Sequence, residues 1–255
     1  MSYYLFKVLD RSAAKEELIS KGLKDIYEME DAESGFLFIG GRSTHPITDL
    51  KASELAEEKP EEVDWEEQWS LFAENFIQGK AEIDLSRFGK KKTLSLLPGP
   101  GFGDLSHPTT QLMLEMMKGR VQRKSILDIG TGSGILALSA LLLGASSAIG
   151  LDIDAAALKH ARQNTKLNHL KARFVKKLPR DLSGPHICLL NMILPEQLLA
   201  LKPIQKYKPL AKLWITSGIL RTQKTAYLKQ AKKWGWKLEE EHQKDQWLGF
   251  IFIPK

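Results

Sequence analysis

Hydrophobic and polar positions repeat with two different periods along the chain, and the change of period predicts where strands and helices lie. Beyond residue 80, short apolar runs such as KSILDIG (124–130) alternate with helical runs such as DAAALKHARQNTKLN (154–168). Strands that alternate with helices predict a parallel sheet covered by helices on both faces. The last two strand-like runs, WKLEEEHQ and WLGFIFIP, have no helix between them and predict an antiparallel edge hairpin. We therefore expect an α/β fold with a doubly wound, mostly parallel seven-stranded sheet.

The first 41 residues predict a small α+β domain. YYLFKVL, KDIYEME and GFLFIGG have the composition of strands, and SAAKEELISKG reads as a helix that Ser12 caps and Gly22 ends. Three strands and one helix are a small unit to fold alone.

Residues 42–79 are polar and have helical spacing, so we interpret them as a helical linker. Trp65, Trp69, Phe72 and Phe76 recur at spacings of four, three and four, which places them on one helical face. Such a stripe favours packing of the linker on the larger domain, which we assign to residues 80–255.

The composition of the chain argues against membrane segments, disulfides and metal sites. The chain is 43% hydrophobic, has no long uncharged apolar run, and begins without the features of a signal peptide, so we expect no membrane segment. Cys188 is the only cysteine, which excludes an internal disulfide and suits a reducing cytoplasm. Cys and His spacing shows no metal-ligand pattern, so we expect no metal.

The charge of the chain does not decide what kind of molecule it binds. The net charge of +6 is typical of proteins with an anionic partner such as nucleic acid, but the lysines fall at helical spacing, which favours solvated helix faces. An acidic stretch, SELAEEKPEEVDWEEQW (53–69), suits either a lysine-rich substrate or an exposed linker, and the sequence favours the linker.

A glycine turn follows the first strand of the large domain. Gly130, Gly132 and Gly134 allow positive φ and a close approach of a ligand to the backbone, at the N-terminus of the next helix. Asp152 ends the next strand, where a carboxylate suits the two ribose hydroxyls of a nucleotide. The GSGILA run also fits the G-x-G-x-x-A dinucleotide pattern, so the turn alone permits a dinucleotide or a single nucleoside.

Asp128, two residues before the first glycine, favours the nucleoside. A carboxylate at this point attracts a cationic amino-acid group and repels a pyrophosphate. The stretch from Asp128 to Gly134 (DIGTGSG) is similar to the first motif of the class I methyltransferases, which have a Rossmann-like sheet and use S-adenosylmethionine.

Further motifs make the resemblance specific to one family of methyltransferases. GFGDLSHPTTQLMLEMM, ASSAIGLDIDAAAL, LLNMILPEQLL, ITSGIL and the linker segment DWEEQWSLF resemble the ribosomal protein methyltransferases that modify protein eleven of the large subunit. The resemblance runs from Asp64 to the C-terminus. It implies methyl transfer from S-adenosylmethionine to amine nitrogens of that protein, either a lysine side chain or the N-terminus, with recognition of the substrate by the small domain.

The resemblance also implies site residues. Thr110, Gly130, Asp152 and Asn191 would contact S-adenosylmethionine, and we add Asp128, Gly132, Gly134 and Phe102 to that set of candidates. A Thr110 hydroxyl suits either a helix cap or the methionyl carboxylate. Asn191 ends an apolar strand beside the reacting methyl, where its side-chain carbonyl can accept from the substrate amine. A loop phenylalanine such as Phe102 either covers the cofactor or packs.

The sequence departs from the family pattern before the helix. The family's Ala-Phe-Gly-Thr-Gly reads Gly101-Phe102-Gly103-Asp104-Leu105 here, and Leu97 replaces an acidic residue. Nearby titratable side chains (Asp104, His107 and Asp154) show no pattern of a general base, so no catalytic residue is assigned.

Two other functions stay open from the residues. A methyltransferase of the same fold acting on RNA or a small molecule would use the basic charge and the altered loop. An NAD-linked dehydrogenase or a non-catalytic module would use the same sheet, although Asp128 and Asn191 argue against the dehydrogenase. We expect a monomer.

Overall fold

The chain divides into two compact units. A computed structural model describes residues 2–30, 35–59, 70, 73, 75–103, 107–180 and 182–255. Unit 1 spans residues 1–64 and unit 2 spans residues 65–255. The first unit therefore extends beyond residue 41, the boundary that the sequence predicts.

Unit 1 is a four-stranded antiparallel sheet with one helix. Its strands lie in the order β2-β3-β1-β4, and Phe6, Ile39 and Leu18 meet in its buried core. Its elements are β1 (Ser2–Val8), α1 (Ala14–Ser20), β2 (Lys24–Glu30), β3 (Leu37–Ser43) and β4 (Ser53–Lys59).

The prediction of a helical linker is wrong over residues 53–59. This stretch is strand β4, which pairs antiparallel with β1, because pairing along an open sheet edge outweighs the helical preference of its Glu and Ala residues. Phe76 lies in a strand rather than on a helical face, and the other three aromatic residues of the predicted stripe lie outside the described residues.

The cap of α1 also differs from the prediction. Ala13 is the N-cap and makes no side-chain bond, whereas the Ser12 hydroxyl donates to Asp10 at 2.7 Å. Gly22, with φ +94°, follows the end of the helix as predicted.

The described residues of unit 2 form two sheets. The smaller is antiparallel, in the order β5-β6-β7, and the larger has seven strands in the order β10-β9-β8-β11-β12-β14-β13. The elements of the unit are β5 (Phe76–Ile77), β6 (Lys80–Asp84), β7 (Thr93–Leu96), α2 (Pro108–Met117), β8 (Ser125–Ile129), α3 (Ile135–Leu142), β9 (Ser147–Leu151), α4 (Ala155–Leu167), β10 (Arg173–Val175), β11 (His186–Asn191), α5 (Leu194–Ala200), α6 (Ile204–Tyr207), β12 (Ala211–Leu220), α7 (Lys224–Trp234), β13 (Trp236–Lys244) and β14 (Trp247–Pro254).

The large sheet confirms the predicted fold class. The pairs from β10 to β12 are parallel, and β14 runs antiparallel to both β12 and β13, which is the predicted edge hairpin. Alternate strand residues bury on opposite faces: Ile126 packs with α2, α3 and α4, and Leu127 packs with α5 to α7. Strand order reverses between β8 and β11, where doubly wound sheets bind ligands.

No helix within the described ranges is both long and apolar enough to cross a lipid bilayer.

Candidate functional site

A cavity of about 1230 Å³ opens at the carboxyl ends of β8, β9 and β11. The volume exceeds the roughly 300–1,000 Å³ that is usual for a site holding one small ligand. Gly130, Gly132, Asp152, Asn191 and Phe102, five of the predicted site residues, line its wall.

The glycine turn needs its glycines. Gly130, Gly132 and Gly134 have φ of +73°, +54° and +85°, a region that residues with a Cβ rarely adopt. A Cβ on Gly132 would lie 2.3 Å from the carbonyl oxygen of Phe102, so the turn packs directly on the loop before α2. Gly134 is outside the cavity wall and faces α4 and β10, where a Cβ would lie 3.1 Å from that of Ala161.

The Asp152 carboxylate is held by backbone. Oδ2 accepts from the N–H of Gly132 at 3.0 Å, and Oδ1 accepts from the N–H of Asp154 at 3.0 Å. Each oxygen keeps a further lone pair, and the side chain lines the cavity. Ile153, 84% exposed, adds an apolar wall beside it.

Asp128 lies beneath the turn rather than in the cavity wall. Its carboxylate is buried and accepts from the Thr131 hydroxyl at 2.6 Å, whereas Oδ1 has no hydrogen-bond partner in the described part of the chain. Burial raises the pKa of Asp128 to about 7, and the neighbouring charge of Asp152 adds to the shift, which the Thr131 hydrogen bond opposes.

The start of α2 presents Thr109, not Thr110, to the cavity. Thr110 is fully buried, and its hydroxyl has no hydrogen-bond partner within the described ranges. The helix cap is His107, whose Nδ1 accepts from the N–H of Thr109 at 3.3 Å. Of the two roles that the sequence left open for Thr110, the helix cap is therefore wrong, because the cap side chain comes from the residue before the proline.

Three aromatic rings lie beside the turn. Phe102 is 56% exposed, its ring lies 5.5 Å from that of His107, and the His107 ring lies 5.1 Å from that of Trp247. All three line the cavity. Sequence reasoning missed Trp247, since only the edge hairpin brings this distant residue to the carboxyl end of the sheet.

Asn191 ends β11 and is 8% exposed in the cavity wall. The backbone after it is fixed by Gln197 of α5, whose amide donates to the carbonyls of Met192 (2.7 Å) and Ser217 (2.8 Å). Gly218 packs on the same turn, because a Cβ there would lie 2.1 Å from the Met192 carbonyl oxygen. Asn191 is thus presented by a rigid strand end.

Basic side chains also line the cavity. Lys176, Lys177 and Arg180, after β10, line it together with Lys206 of α6. No group of three or more metal-ligating side chains occurs among the residues that the structure describes.

Comparison with known proteins decides the family. Residues 13–254 match the sequence pattern of the family described as ribosomal protein L11 methyltransferase (PrmA). The chain belongs to this family. It is 32% identical over 200 residues to the ribosomal protein L11 methyltransferase of Aquifex aeolicus, covering 77% of this chain and 79% of that protein. With the enzyme of the same name from Lactobacillus gasseri it is 31% identical, over 96% of this chain and 76% of that one.

Solved structures agree with this assignment. The ribosomal protein L11 methylase of Lactobacillus delbrueckii subsp. bulgaricus superposes with a TM-score of 0.55 at 28% identity, over 63% of this chain and 84% of that chain. The Pyrococcus abyssi tRNA (uracil-54, C5)-methyltransferase, solved with S-adenosyl-L-homocysteine, has a TM-score of 0.50 at 14% identity, over 82% and 49% of the two chains, and shows the fold alone.

Membership of the PrmA family confirms the predicted family, the class I methyltransferase fold and S-adenosylmethionine as the cofactor. The protein is a methyltransferase. The dehydrogenase alternative is therefore discarded.

Proposed function

We propose that this PrmA-family chain transfers methyl groups to amine nitrogens of ribosomal protein L11 in the cavity of unit 2. The observation that carries the proposal is that one cavity wall contains the glycine turn, a backbone-held carboxylate at Asp152 and a strand-end amide at Asn191. Each feature suits one part of S-adenosylmethionine. The glycine turn lets the ligand approach the backbone closely, the Asp152 carboxylate can accept from the two ribose hydroxyls, and the Asn191 amide lies where the methyl group would be.

The chemistry of the wall fits the cofactor. The free lone pairs of Asp152 accept from the ribose hydroxyls, and the exposed Ile153 side chain gives the base an apolar surface. Gly130, Gly132 and Phe102 hold the methionyl part. Asp128 lies below the turn and holds it through its hydrogen bond with Thr131, while Gly134 shapes the turn. Bound there, S-adenosylmethionine supplies an electrophilic methyl group.

Thr110 has a separate place in the proposal. Its hydroxyl is buried and outside the cavity wall, so Thr110 supports the start of α2 instead of touching the cofactor. Thr109, whose hydroxyl pairs with His107 Nδ1 at 2.8 Å, is the residue of this pair that faces the ligand.

The acceptor amine must arrive neutral. A lysine amine with a pKa near 10.4 is neutral in about one molecule per thousand at pH 7.4, which costs roughly 4 kcal/mol. The rings of Phe102, His107 and Trp247 contact one another in the cavity wall, and an amine that enters beside them is partly desolvated, which lowers its pKa. The Asn191 carbonyl accepts from an amine N–H and turns the nitrogen lone pair toward the methyl group. The proton that the methyl group replaces leaves to water.

Charge supports a basic protein as the substrate. Residues 1–64 contain 15 acidic and 8 basic side chains, a net charge of −7, whereas residues 65–255 contain 16 acidic and 29 basic side chains. Proteins that bind RNA present basic patches to its phosphate backbone, and a ribosomal protein substrate is expected to carry such a patch. Unit 1 is therefore the part of the chain that attracts the substrate, over residues 1–64 rather than 1–41.

One observation favours RNA as the acceptor instead. Lys176, Lys177, Arg180 and Lys206 line the cavity, and a phosphate backbone is a ligand that such basic side chains attract.

Intact-mass spectrometry separates the two acceptors. Purified L11 and a ribosomal RNA fragment are incubated in separate reactions with the protein and S-adenosylmethionine. Stepwise gains of one methyl mass on L11, which form much more slowly with Asp152→Asn, support the proposal. Methylation of the RNA with L11 unchanged contradicts it.

A further inference from the structure

We propose that His160 of α4 is a positioning residue, which holds the loop of residues 97–103, the Phe102 loop, against the glycine turn. The proposal rests on the placement of S-adenosylmethionine at that turn and is independent of the acceptor. His160 is outside the cavity wall and is 2% exposed, so it acts through the loop and not by touching the ligand.

Both ring nitrogens of His160 bind the loop backbone. Nε2 lies 2.7 Å from the carbonyl oxygen of Leu97, and the N–H of Gly101 points to Nδ1 at 3.1 Å. Between these contacts, the ring packs on Gly99, where an added Cβ would lie 2.8 Å from Nε2. The loop thus wraps one imidazole ring, and it has room for that ring because residue 99 is a glycine.

The two contacts specify one form of the imidazole. The Gly101 N–H can only donate, so Nδ1 must be the unprotonated nitrogen. Nε2 then carries the hydrogen and donates to the Leu97 carbonyl. Burial lowers the pKa of His160, which favours this neutral form.

The loop is also bonded to the glycine turn itself. The Phe102 carbonyl accepts from the N–H of Ser133 at 2.9 Å, and the Gly103 carbonyl accepts from the Ser133 hydroxyl at 2.5 Å. Asn164, one helical turn after His160, accepts from the N–H of Leu97 and donates to the Ser133 carbonyl, both at 2.9 Å. Helix α4, the loop and the turn therefore form a closed hydrogen-bonded circuit.

The circuit decides where the Phe102 ring lies. Gly101 is the neighbour of Phe102, so the bond from its N–H to His160 fixes the backbone from which the ring projects into the cavity.

A series of substitutions tests the role. Asn places a carbonyl near the position of Nδ1 and can keep the Gly101 contact, whereas Gln reaches the position of Nε2 and can keep the Leu97 contact. Leu keeps neither. We expect the dissociation constant for S-adenosylhomocysteine, measured by calorimetry, to rise about ten-fold for His160→Leu and to be largely restored by His160→Asn.

Asn168 supplies the matched control. It is the C-cap residue of the same helix and binds strand β7 just before the loop, accepting from the N–H of Ser95 (2.9 Å) and donating to its carbonyl (2.6 Å). Asn168→Ala should lower the melting temperature as His160→Leu does, but leave the dissociation constant within about two-fold of wild type.

Hydrogen exchange on the ligand-free protein gives a second readout. The amide of Gly101 should exchange faster in His160→Leu than in wild type or Asn168→Ala. Dissociation constants that are equal in His160→Leu and Asn168→Ala, or unchanged exchange at Gly101, would overturn the proposal. Failure of the wild type to bind S-adenosylhomocysteine would instead overturn the placement of the cofactor site.

Discussion

Each carboxylate oxygen of Asp152 accepts one hydrogen bond from a backbone N–H, and its remaining lone pairs are available to a ligand in the cavity. The two bonds fix the orientation of the carboxylate before a ligand arrives, which lowers the entropy cost of binding. Asp154, two residues later, uses its side chain differently and caps α4 by accepting from the N–H of Ala156 at 2.8 Å. Two carboxylates of one short loop thus have separate tasks.

This difference makes a matched pair of substitutions. Asp152→Asn should raise the dissociation constant for S-adenosylmethionine by roughly ten- to a hundred-fold, because hydrogen bonds to a charged group are lost. Asp154→Asn removes the same charge but keeps the cap, and should change the constant less than about three-fold. Equal effects in calorimetric titrations would mean that local charge, and not the geometry of Asp152, governs binding.

Asp128 predicts a dependence of stability on pH. Its pKa of about 7 in the folded chain lies above the ordinary 3.8, so between these values the folded protein keeps a proton that the unfolded chain has lost. The free energy of unfolding should therefore fall as the pH rises from about 4 to about 7, by at most about 1.4 kcal/mol per pH unit from this group, and level off above 7.

Asp128→Asn cannot titrate, and its amide oxygen can still accept from Thr131. In urea titrations at several pH values, the stability of wild type relative to this variant should decline across that interval. A constant difference would show that the pKa of Asp128 is not raised.

At the scale of elements, the site depends on the junction of β11 and α5. Gln197 is fully buried and donates to the carbonyls of Met192 and Ser217, and its own carbonyl accepts from the Tyr227 hydroxyl at 2.8 Å. That hydroxyl also lies 2.9 Å from the Thr216 hydroxyl. Helices α5 and α7 are thereby tied to β12 and to the end of β11, which carries Asn191.

Gln197→Leu should lower the free energy of unfolding by about 2–4 kcal/mol, because it leaves two buried carbonyls without a donor. Tyr227→Phe removes one hydroxyl while keeping both bonds of the Gln197 amide, and should cost about 1 kcal/mol. Urea denaturation measures both. A smaller loss for Gln197→Leu than for Tyr227→Phe would contradict the assigned role of the junction.

The sequence predicted the elements whose signals are local. The glycine turn, the strand end at Asp152, the apolar strand before Asn191 and the edge hairpin all have short-range patterns, and the structure contains each of them. Strand β4 was missed because its sequence, SELAEEK, favours a helix and only the free edge of β1 makes it a strand.

The rest of the site depends on contacts across long separations. In the sequence, nothing distinguishes His160 from the other polar residues of an amphipathic helix. Its partners Leu97 and Gly101 lie about sixty residues earlier. Trp247 reaches the cavity only through the order of strands at the sheet edge. The choice between Thr109 and Thr110 needs the rotation of α2, which its first residues do not reveal.

For the whole molecule, the division of charge matters most. Unit 1 is acidic and unit 2 is basic. The cavity that the candidate cofactor-binding residues line lies within unit 2. The boundary also guides truncation, since a cut after residue 41 would remove β1 and leave β4 without its partner strand. Removal of unit 1 should therefore end at residue 64.

Opposite charges on unit 1 and the substrate predict a salt effect. Raising NaCl from about 50 to about 500 mM should increase the KM for L11 about ten-fold or more, because screening weakens their attraction. The dissociation constant for S-adenosylmethionine should change less than about three-fold. A KM for L11 that does not respond to salt would contradict recruitment by charge.

The most direct test of the whole account is a crystal structure of the protein with S-adenosylhomocysteine. We predict the ribose hydroxyls on the Asp152 carboxylate, the base against Ile153, and the sulfur between Phe102 and Asn191. Ligand bound elsewhere, or bound in the cavity without contact to Asp152, would contradict the assignment of the glycine turn as the cofactor site.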